Sequence, residues 1–214
     1  MPVQSCDIHA RSLEISTALS AYYVLNFIAP LEVFRVLNNA QVRFMLLGTH
    51  ALGGWMQEPR TTTQVDILVG ARSNERAVCI LLSAFPQLCA EEKEEETRLW
   101  DAETGQALID VMKPKRLLFR QALKHTLFVQ SEGQGYRIPS LEMAIAMKFA
   151  AMISPTRNLA DRYIDTHDFL CMIRSNSEID SRKLHALGRF ISTRGGDEIV
   201  DRVRRVQAGE KFTL

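Results

Sequence analysis

The sequence lacks the features that would place it at once in a metal-binding, disulfide-rich or membrane class. Its four cysteines, Cys6, Cys79, Cys89 and Cys171, form no C-x-x-C pair and follow no regular spacing, which indicates a reducing compartment without disulfides or zinc. No apolar run approaches the roughly 18 residues of a membrane helix. The opening residues MPVQSCDIHARSLE carry charges where a signal peptide has its apolar stretch. We therefore expect a cytoplasmic protein with no membrane partner.

A strong net charge is also absent. Lysine and arginine total 26 against 25 aspartate and glutamate residues, so the formal net charge is +1. This excludes a global electrostatic attraction to nucleic acid, and an RNA partner would need a local basic patch. The final helical segment, DRVRRVQAGEK, is basic on one side, and for it both a solvated surface and an RNA-binding patch stay open.

Apolar periodicity divides the 214 residues into two regions. Residues 1–138 are expected to form an α/β core with helices at its N-terminal end, and residues 139–214 a helical region packed on that core. No internal repeat or low-complexity linker separates the two regions. The chain is long enough to bury a full core, so we expect them to pack as one unit.

The first region begins with helical spacing over residues 12–28 and 31–40. The run RFMLLG (43–48) is typical of a strand buried on both faces. THALGGWMQ then predicts a short helix, and TQVDILVG predicts a second strand. SNERAVCILLSAF predicts an amphipathic helix capped by Ser73.

Two hairpins are predicted beyond that helix, together with an acidic segment that carries no chemistry. TRLWDAETGQALIDVM forms the first around Gly105, and HTLFVQS pairs with YRIPS around EGQG to form the second. The acidic run EEKEEE is expected to be a solvated turn or helix end. From Ser140 onward the pattern is helical.

Two aspartates stand inside apolar strands, Asp66 in VDILV and Asp110 in LIDVM. Each needs a metal ion, a basic side chain or a hydrogen bond as partner, because an unpaired buried carboxylate is costly. Carboxylates on neighbouring strands are able to hold a divalent metal ion, which phosphoryl transfer from a nucleotide requires. Either aspartate alone is equally consistent with a strand-end residue at the sheet surface, but the turn at Gly48 favours a site.

The order of these motifs resembles the nucleotidyltransferase-fold superfamily, and within it the AbiEii-type and related minimal nucleotidyltransferases. That pattern is an apolar strand, Gly-Gly or Gly-Ser, a short helix, Arg-x-Thr, Asp-x-Asp on the next strand and a third Asp further on. The resemblance covers residues 30–175. The residues that carry it are Gly48, Thr49, Arg60, Thr61, Thr63, Asp66, Asp110, Glu142, Lys148, Arg162, Asp165 and Asp168.

The resemblance implies an α/β (α+β) nucleotidyltransferase fold, with a mixed sheet flanked by helices and a C-terminal helical bundle. It also implies transfer of a nucleotidyl group from an NTP to a hydroxyl on an RNA, a protein or a small molecule. Asp66, Asp110 and Lys148 would be catalytic, and the two aspartates would hold Mg²⁺ or Mn²⁺. The nucleotide-binding residues would be Gly48, Thr49, Arg60, Thr63 and Gln64.

Gln64 stands where the family has the first aspartate of the pair. An amide oxygen is a poorer, uncharged ligand, so one metal ion would be held by Asp66, Asp110 and nucleotide phosphates, and two ions only with difficulty. Three interpretations follow: an active enzyme, a catalytically degenerate module that binds a nucleotide or macromolecule, and a toxin that pairs with an antitoxin protein. The toxin interpretation gives a biological role to the active enzyme.

Other polar residues have structural alternatives. His50 follows the turn and either touches a phosphate or is a structural histidine. Lys148 lies on an apolar helical face, where extension to solvent is the alternative to phosphate binding, and we expect it to lie toward the Gly48 turn. Asp165 and Asp168, one helical turn apart, are able to pair with neighbouring arginines instead of serving a site.

Overall fold

A computed structural model describes residues 3–23, 27–58 and 60–211, and it divides the chain into two compact units, Met1–Pro139 and Ser140–Leu214. The helices of the first unit are α1 (Val3–Tyr23), α2 (Pro30–Asn39), α3 (Gly48–Met56), α4 (Asn74–Ala84) and α5 (Leu117–Ala122). Its strands are β1 (Phe44–Leu46), β2 (Val65–Val69), β3 (Leu88–Glu92), β4 (Glu96–Asp101), β5 (Ala107–Met112), β6 (Thr126–Ser131) and β7 (Gln134–Pro139).

The first unit contains a mixed five-stranded sheet in the order β1-β2-β5-β4-β3. β2 and β5 are parallel and lie at its centre, and the other neighbours are antiparallel. A separate hairpin, β6-β7, contacts α1 and α2. This is the mixed sheet flanked by helices that the sequence predicts.

Branched and apolar residues explain the core of the sheet. Ile67, Ile109, Val111 and Leu99 are buried on the central strands and form one cluster with apolar residues of α2 and α4. β4 alternates between half-exposed and buried positions, because successive side chains of a strand point to opposite faces. One face of β4 therefore packs into the core, and the other carries Glu96, Arg98 and Trp100.

The second unit is entirely helical among its described residues, as predicted. Its helices are α6 (Leu141–Met152), α7 (Leu159–Ser175), α8 (Ser181–Gly188) and α9 (Gly195–Gln207). At the starts of α6, α7 and α8, side-chain oxygens accept hydrogen bonds from backbone N–H groups; they belong to Ser140, Asn158 and Asp180. These caps fix where the three helices begin. Nowhere in the described part of the chain is a helix long and apolar enough to cross a membrane.

Some predicted boundaries are wrong for identifiable reasons. Helix α1 begins at Val3 rather than residue 12, and the additional turns include His9, which packs beside Gly54 of α3. Ala29 is extended, as expected for a residue before proline, so the helix does not reach residue 28; residues 24–26 lie outside the described residues. Ser73 occupies the N-cap position of α4, but its side chain makes no capping hydrogen bond.

Two elements were missed by the sequence analysis. Strand β3 includes the first glutamates of the acidic run, and β4 begins at Glu96, so only residues 93–95 form the turn that was expected. Four of the five β3 residues are exposed, which leaves no apolar alternation to detect. Helix α5 spans six residues and is too short for a helical period to stand out.

Candidate active site

The turn between β1 and α3 is built around Gly48. Its φ is +62°, a left-handed conformation that residues with a Cβ rarely adopt. A Cβ placed on Gly48 would lie 2.0 Å from Oδ2 of Asp66, so the Asp66 carboxylate occupies the space that a side chain would need. The Leu47 N–H also donates to the Asp66 carbonyl oxygen at 2.7 Å. Only glycine fits here, and Asp66 is thereby held against the first turn of α3.

Asp66 and Asp110 are register partners on the parallel strands β2 and β5. Partners in register on neighbouring strands point to the same face of a sheet. The strand register therefore places the two residues side by side on adjacent strands, and their joint role in a metal site stays a prediction. Asp66 is half-buried and Asp110 is buried, so the pair stands at the border between the core and the polar face.

Arg98 continues this row on β4, where it is the register partner of Asp110. Its Nε donates to Oδ1 of Asp110 at 2.9 Å and its Nη2 donates to Oδ2 at 3.0 Å. This bidentate pair gives the buried Asp110 carboxylate a cationic partner. The resemblance implies a metal ion as the partner of Asp110, and Arg98 was not predicted as that partner.

Glu96, the last residue of the acidic run that was expected to carry no chemistry, adds a third carboxylate two residues before Arg98 on β4. Its Oε1 accepts a hydrogen bond from Nη2 of Arg98 at 2.8 Å. Burial and, secondarily, the negative charge of Asp110 raise the pKa of Glu96, while the hydrogen bonds that Arg98 donates to Asp110 raise the pKa of Arg98. We call Asp66, Asp110, Glu96 and Arg98 the sheet cluster; it holds three carboxylates and one guanidinium and is therefore negatively charged.

Asp66 and Asp110 are the residues of the sheet cluster that could hold one hard divalent cation. Mg²⁺ and Mn²⁺ prefer carboxylate and phosphate oxygens, and Asp66 and Asp110 present carboxylates on one face. Both Asp110 oxygens already accept hydrogen bonds from Arg98, but each carboxylate oxygen has a second lone pair and keeps acceptor capacity. Two protein carboxylates leave the remaining ligand positions to phosphate oxygens and water.

Gln64 stands directly before β2, which begins at Val65. Its backbone N–H donates to Oγ1 of Thr62 at 3.3 Å, and the Thr62 N–H donates to Oγ of Ser20 at 3.1 Å. The Arg60 carbonyl accepts a hydrogen bond from Ser16 Oγ at 2.8 Å. Serines of α1 therefore fix the backbone that leads into β2.

The remaining predicted nucleotide-binding residues lie around the same turn. Thr49 is half-buried in the first turn of α3, the Arg60 side chain is half-buried and Thr63 is exposed. Their proximity along the chain to Gly48 and Asp66 is consistent with the roles that the resemblance implies. Those roles stay predictions.

His50 has the structural role rather than the phosphate-binding one. It is 4% exposed, and its Nδ1 lies 2.8 Å from Oγ of Ser16 on α1. Burial lowers its pKa from 6.5 to about 4, so the ring is neutral at physiological pH. His9 is buried in the same helix pair, against Trp55, and burial lowers its pKa to about 4 as well.

Lys148 lies on α6 in the second unit, within a group of charged side chains that we call the helix cluster. Its Nζ is 2.7 Å from Oδ1 of Asp165 and 2.8 Å from Oδ2 of Asp168. Arg157 Nε lies 2.7 Å from the other oxygen of Asp165. The pairing of Asp165 with a basic residue, one alternative from the sequence, is thus observed with Arg157 and Lys148. Arg162 donates instead to the Met152 carbonyl at 2.8 Å. A catalytic role for Lys148 stays a prediction.

Comparison with known proteins establishes the fold. No protein-family model matches the chain, and no curated protein matches its sequence. An antigenic nucleotidyltransferase-like protein from Paracoccidioides brasiliensis matches with a TM-score of 0.50 and 16% identity, over 76% of this chain and 75% of that one. The antibiotic-resistance factor ANT(2'')-Ia matches with a TM-score of 0.52 and 11% identity, over 84% of this chain and 93% of that one. With the mixed sheet and the Gly48 turn, these similarities show that the chain has the nucleotidyltransferase fold.

Proposed function

We propose that the chain is a metal-dependent nucleotidyltransferase whose site is built on Gly48, Asp66 and Asp110. The observation that carries the proposal is the register pairing of Asp66 with Asp110 next to the glycine turn. Backbone N–H groups at the start of α3 are the donors that would bind a phosphate. Carboxylates on one face supply oxygen ligands for Mg²⁺ or Mn²⁺.

Each residue has a distinct task in this proposal. Asp66 and Asp110 hold the divalent cation, which when bound would offset the charge that develops on the transferred phosphoryl group. The backbone at Gly48 and the Thr49 hydroxyl bind phosphate oxygens of the NTP. Arg60 supplies further positive charge to the triphosphate, and Thr63 and Gln64 border it.

The acceptor is proposed as a hydroxyl on an RNA, a protein or a small molecule. A small-molecule acceptor has one additional support, because a protein of the same fold is an antibiotic-resistance factor. The AbiEii-type assignment and an antitoxin partner rest on the motif resemblance alone. A toxin-like role would require an RNA or protein acceptor.

The second candidate is a degenerate module that binds a nucleotide or a macromolecule without turnover. Two observations favour it. Gln64 offers an uncharged amide where the family has a carboxylate, and Arg98 already engages both oxygens of Asp110. Both features weaken a metal site, so binding and turnover have to be measured separately.

The test begins with calorimetric titration of ATP, GTP, CTP and UTP, each with Mg²⁺ or Mn²⁺ and with EDTA. An NTP labelled at the α-phosphate is then incubated with total RNA, with a protein mixture and with small hydroxylated compounds. We expect metal-dependent binding and label transfer to one acceptor class. In the Asp66→Asn variant, transfer should fall at least about 100-fold, the equivalent of about 2.7 kcal/mol.

Asp201→Asn is the matched control, since Asp201 is an exposed residue of α9 and the change in charge is the same. It should bind and transfer as the wild type does. Metal-dependent NTP binding with no transfer to any acceptor would support the binding module. Absence of NTP binding in the presence of either metal would overturn both candidates.

A further inference from the structure

We propose that Arg98 is an exchangeable cation at this site, which pairs with Asp110 in the absence of nucleotide and turns to the triphosphate when an NTP binds. This inference rests on the proposed nucleotide site and assigns a positioning residue that couples cation binding to NTP binding. Arg98 lies in none of the motifs that carry the family resemblance.

The position of Arg98 provides the first support. Asp66, Asp110 and Arg98 follow one another in register across β2, β5 and β4, so all three side chains emerge on the same face. A group that occupies a site built on the two aspartates is therefore next to Arg98 as well. Asp110 is nearly inaccessible, at 6% side-chain exposure, whereas Arg98 is 30% exposed. The guanidinium thus reaches from the buried carboxylate to solvent.

Glu96 provides the second support, because it gives Arg98 a carboxylate partner other than Asp110. The Nη2 atom of Arg98 lies 2.8 Å from Glu96 Oε1 and 3.0 Å from Asp110 Oδ2. A rotation that releases Asp110 does not have to release Glu96. The guanidinium also has five N–H donors in a planar fork that matches phosphate as well as carboxylate. Arg98 is therefore able to change partners while it stays anchored on β4.

The negative charge of the sheet cluster favours the movement of Arg98 from Asp110 to the triphosphate when an NTP binds. Three carboxylates and one guanidinium would repel a triphosphate unless cations offset them. Arg98 and a divalent cation compete for the Asp110 oxygens as long as no nucleotide is present. When phosphate oxygens enter, they replace Asp110 as a partner of Arg98, which keeps Glu96, and Asp110 becomes available as a metal ligand. Cation and NTP therefore each strengthen the binding of the other, and this coupling is reciprocal.

Arg98→Gln should remove the coupling between Mn²⁺ binding and NTP binding. We expect Mn²⁺ without nucleotide to bind about tenfold more tightly, about 1.4 kcal/mol, because no guanidinium occupies Asp110. We expect the affinity for NTP with Mn²⁺ to fall by about tenfold, because a phosphate partner is lost. Mn²⁺ binding is measured by electron paramagnetic resonance of the unbound ion, and NTP binding by calorimetry.

Two further variants complete the experiment. Arg116→Gln is the matched control, since Arg116 pairs with Glu95 at 2.6 Å with both side chains more than 40% exposed, and neither affinity should change. Arg98→Lys keeps the charge but loses the bidentate geometry, and its two affinities should lie between those of wild type and Arg98→Gln. It also provides the measurement if Arg98→Gln does not fold.

The outcomes separate this inference from the proposed function. If the wild type binds no NTP with Mn²⁺, the nucleotide site itself is wrong. If the wild type binds NTP but Mn²⁺ affinity in the Arg98 variants is unchanged or weaker, Arg98 does not compete for Asp110 and the inference is overturned. Unchanged NTP affinity in those variants would also overturn it, because Arg98 would then have no contact with phosphate.

Discussion

The sheet cluster and the helix cluster differ in how their charges are matched. In the helix cluster, Asp165 and Asp168 are 1% and 2% exposed and are paired with Lys148 and Arg157. In the sheet cluster, Arg98 is the shared partner of Asp110 and Glu96. The first group is balanced at two charges of each sign, and the second has an excess of negative charge.

The difference separates a structural network from a site that needs a further cation. In a buried network with matched charges, every charged group has a partner of opposite charge. Removal of one partner therefore lowers the stability of the fold by several kcal/mol. A group with excess negative charge is destabilised by its own repulsion and is relieved when a cation binds. Lys148, which the family resemblance places among the catalytic residues, therefore has a competing structural role in the second unit.

The largest expected effect tests the helix cluster. Lys148→Met removes the cation that contacts both Asp165 and Asp168, so the second unit should lose about 3–5 kcal/mol of stability. Hydrogen exchange of α6 and α7 amides measures this loss locally. Lys183→Met is the control, because Lys183 and its partner Asp180 are exposed and the cost should stay below about 1 kcal/mol. Unchanged exchange together with lost NTP binding would restore the catalytic role of Lys148.

The next effect tests how the sheet cluster is held. Gly48→Ala should cost about 3 kcal/mol, since it combines an unfavourable positive φ with a methyl group 2.0 Å from Asp66 Oδ2. Gly133→Ala is the control, with φ +74° and nothing within 4 Å of an added Cβ, and should cost about 1–2 kcal/mol. Chemical denaturation measures both. Equal costs would mean that the contact with Asp66 is not a constraint on the turn.

A fall in pH should lower the stability of the first unit more than that of the second. Burial lowers the pKa of His9 and of His50 to about 4, so the unfolded chain binds more protons than the folded one between about pH 4 and pH 6.5. Stability is therefore fully present above about pH 6.5 and falls with decreasing pH, by about 2 kcal/mol per histidine from pH 7 to pH 5.

In the second unit, His167 is exposed and His185 is half-buried, so neither is buried as His9 and His50 are. Hydrogen exchange at several pH values should show α1 and α3 opening before α6 and α7 as the pH falls. A His50→Gln variant should lose less stability on acidification than the wild type. Earlier opening of the helical unit would contradict this order.

The smallest effect concerns Gln64. Gln64→Asp adds a charged oxygen ligand two residues before Asp66, and should tighten Mn²⁺ binding about tenfold, or about 1.4 kcal/mol. Gln130→Asp, at an exposed position of β6, is the control for the change in charge and should have no effect. Increased transfer by the Gln64 variant would identify Gln64 as the cause of a low wild-type rate. Lower transfer than in the wild type would mean that Gln64 has a positive role.

Much of the fold follows from local patterns. The apolar strands β1, β2 and β5 and the four helices of the second unit are long or apolar enough to be detected by periodicity. The glycine turn at Gly48 was recognisable because its left-handed geometry selects glycine. Strand β3 was not, since an exposed edge strand of charged residues follows no burial pattern.

The partner of Asp110 could not be derived in the same way. Arg98 and Asp110 belong to a hairpin that was predicted, but their pairing depends on a register shift between Leu99 and Trp100. A bulge of this kind changes which residues face each other and leaves no regular sequence signal. Alternation within ETRLWD did place Arg98 on one strand face, and the need of a buried carboxylate for a partner was the signal that could have linked it to Asp110.

The strand order has a consequence for how the chain folds. Arg98 and Asp110 pair within β4-β5, whose short connection is closed by backbone hydrogen bonds between Asp101 and Gly105 and between Asp101 and Gln106. Asp66 reaches Asp110 only when the parallel strand β2 joins β5, with α4, β3 and β4 lying between them in the chain. Local hairpins close faster than distant parallel pairs. We therefore expect Asp110 to be neutralised by Arg98 before Asp66 arrives, so that the two carboxylates come together only after a cation is in place.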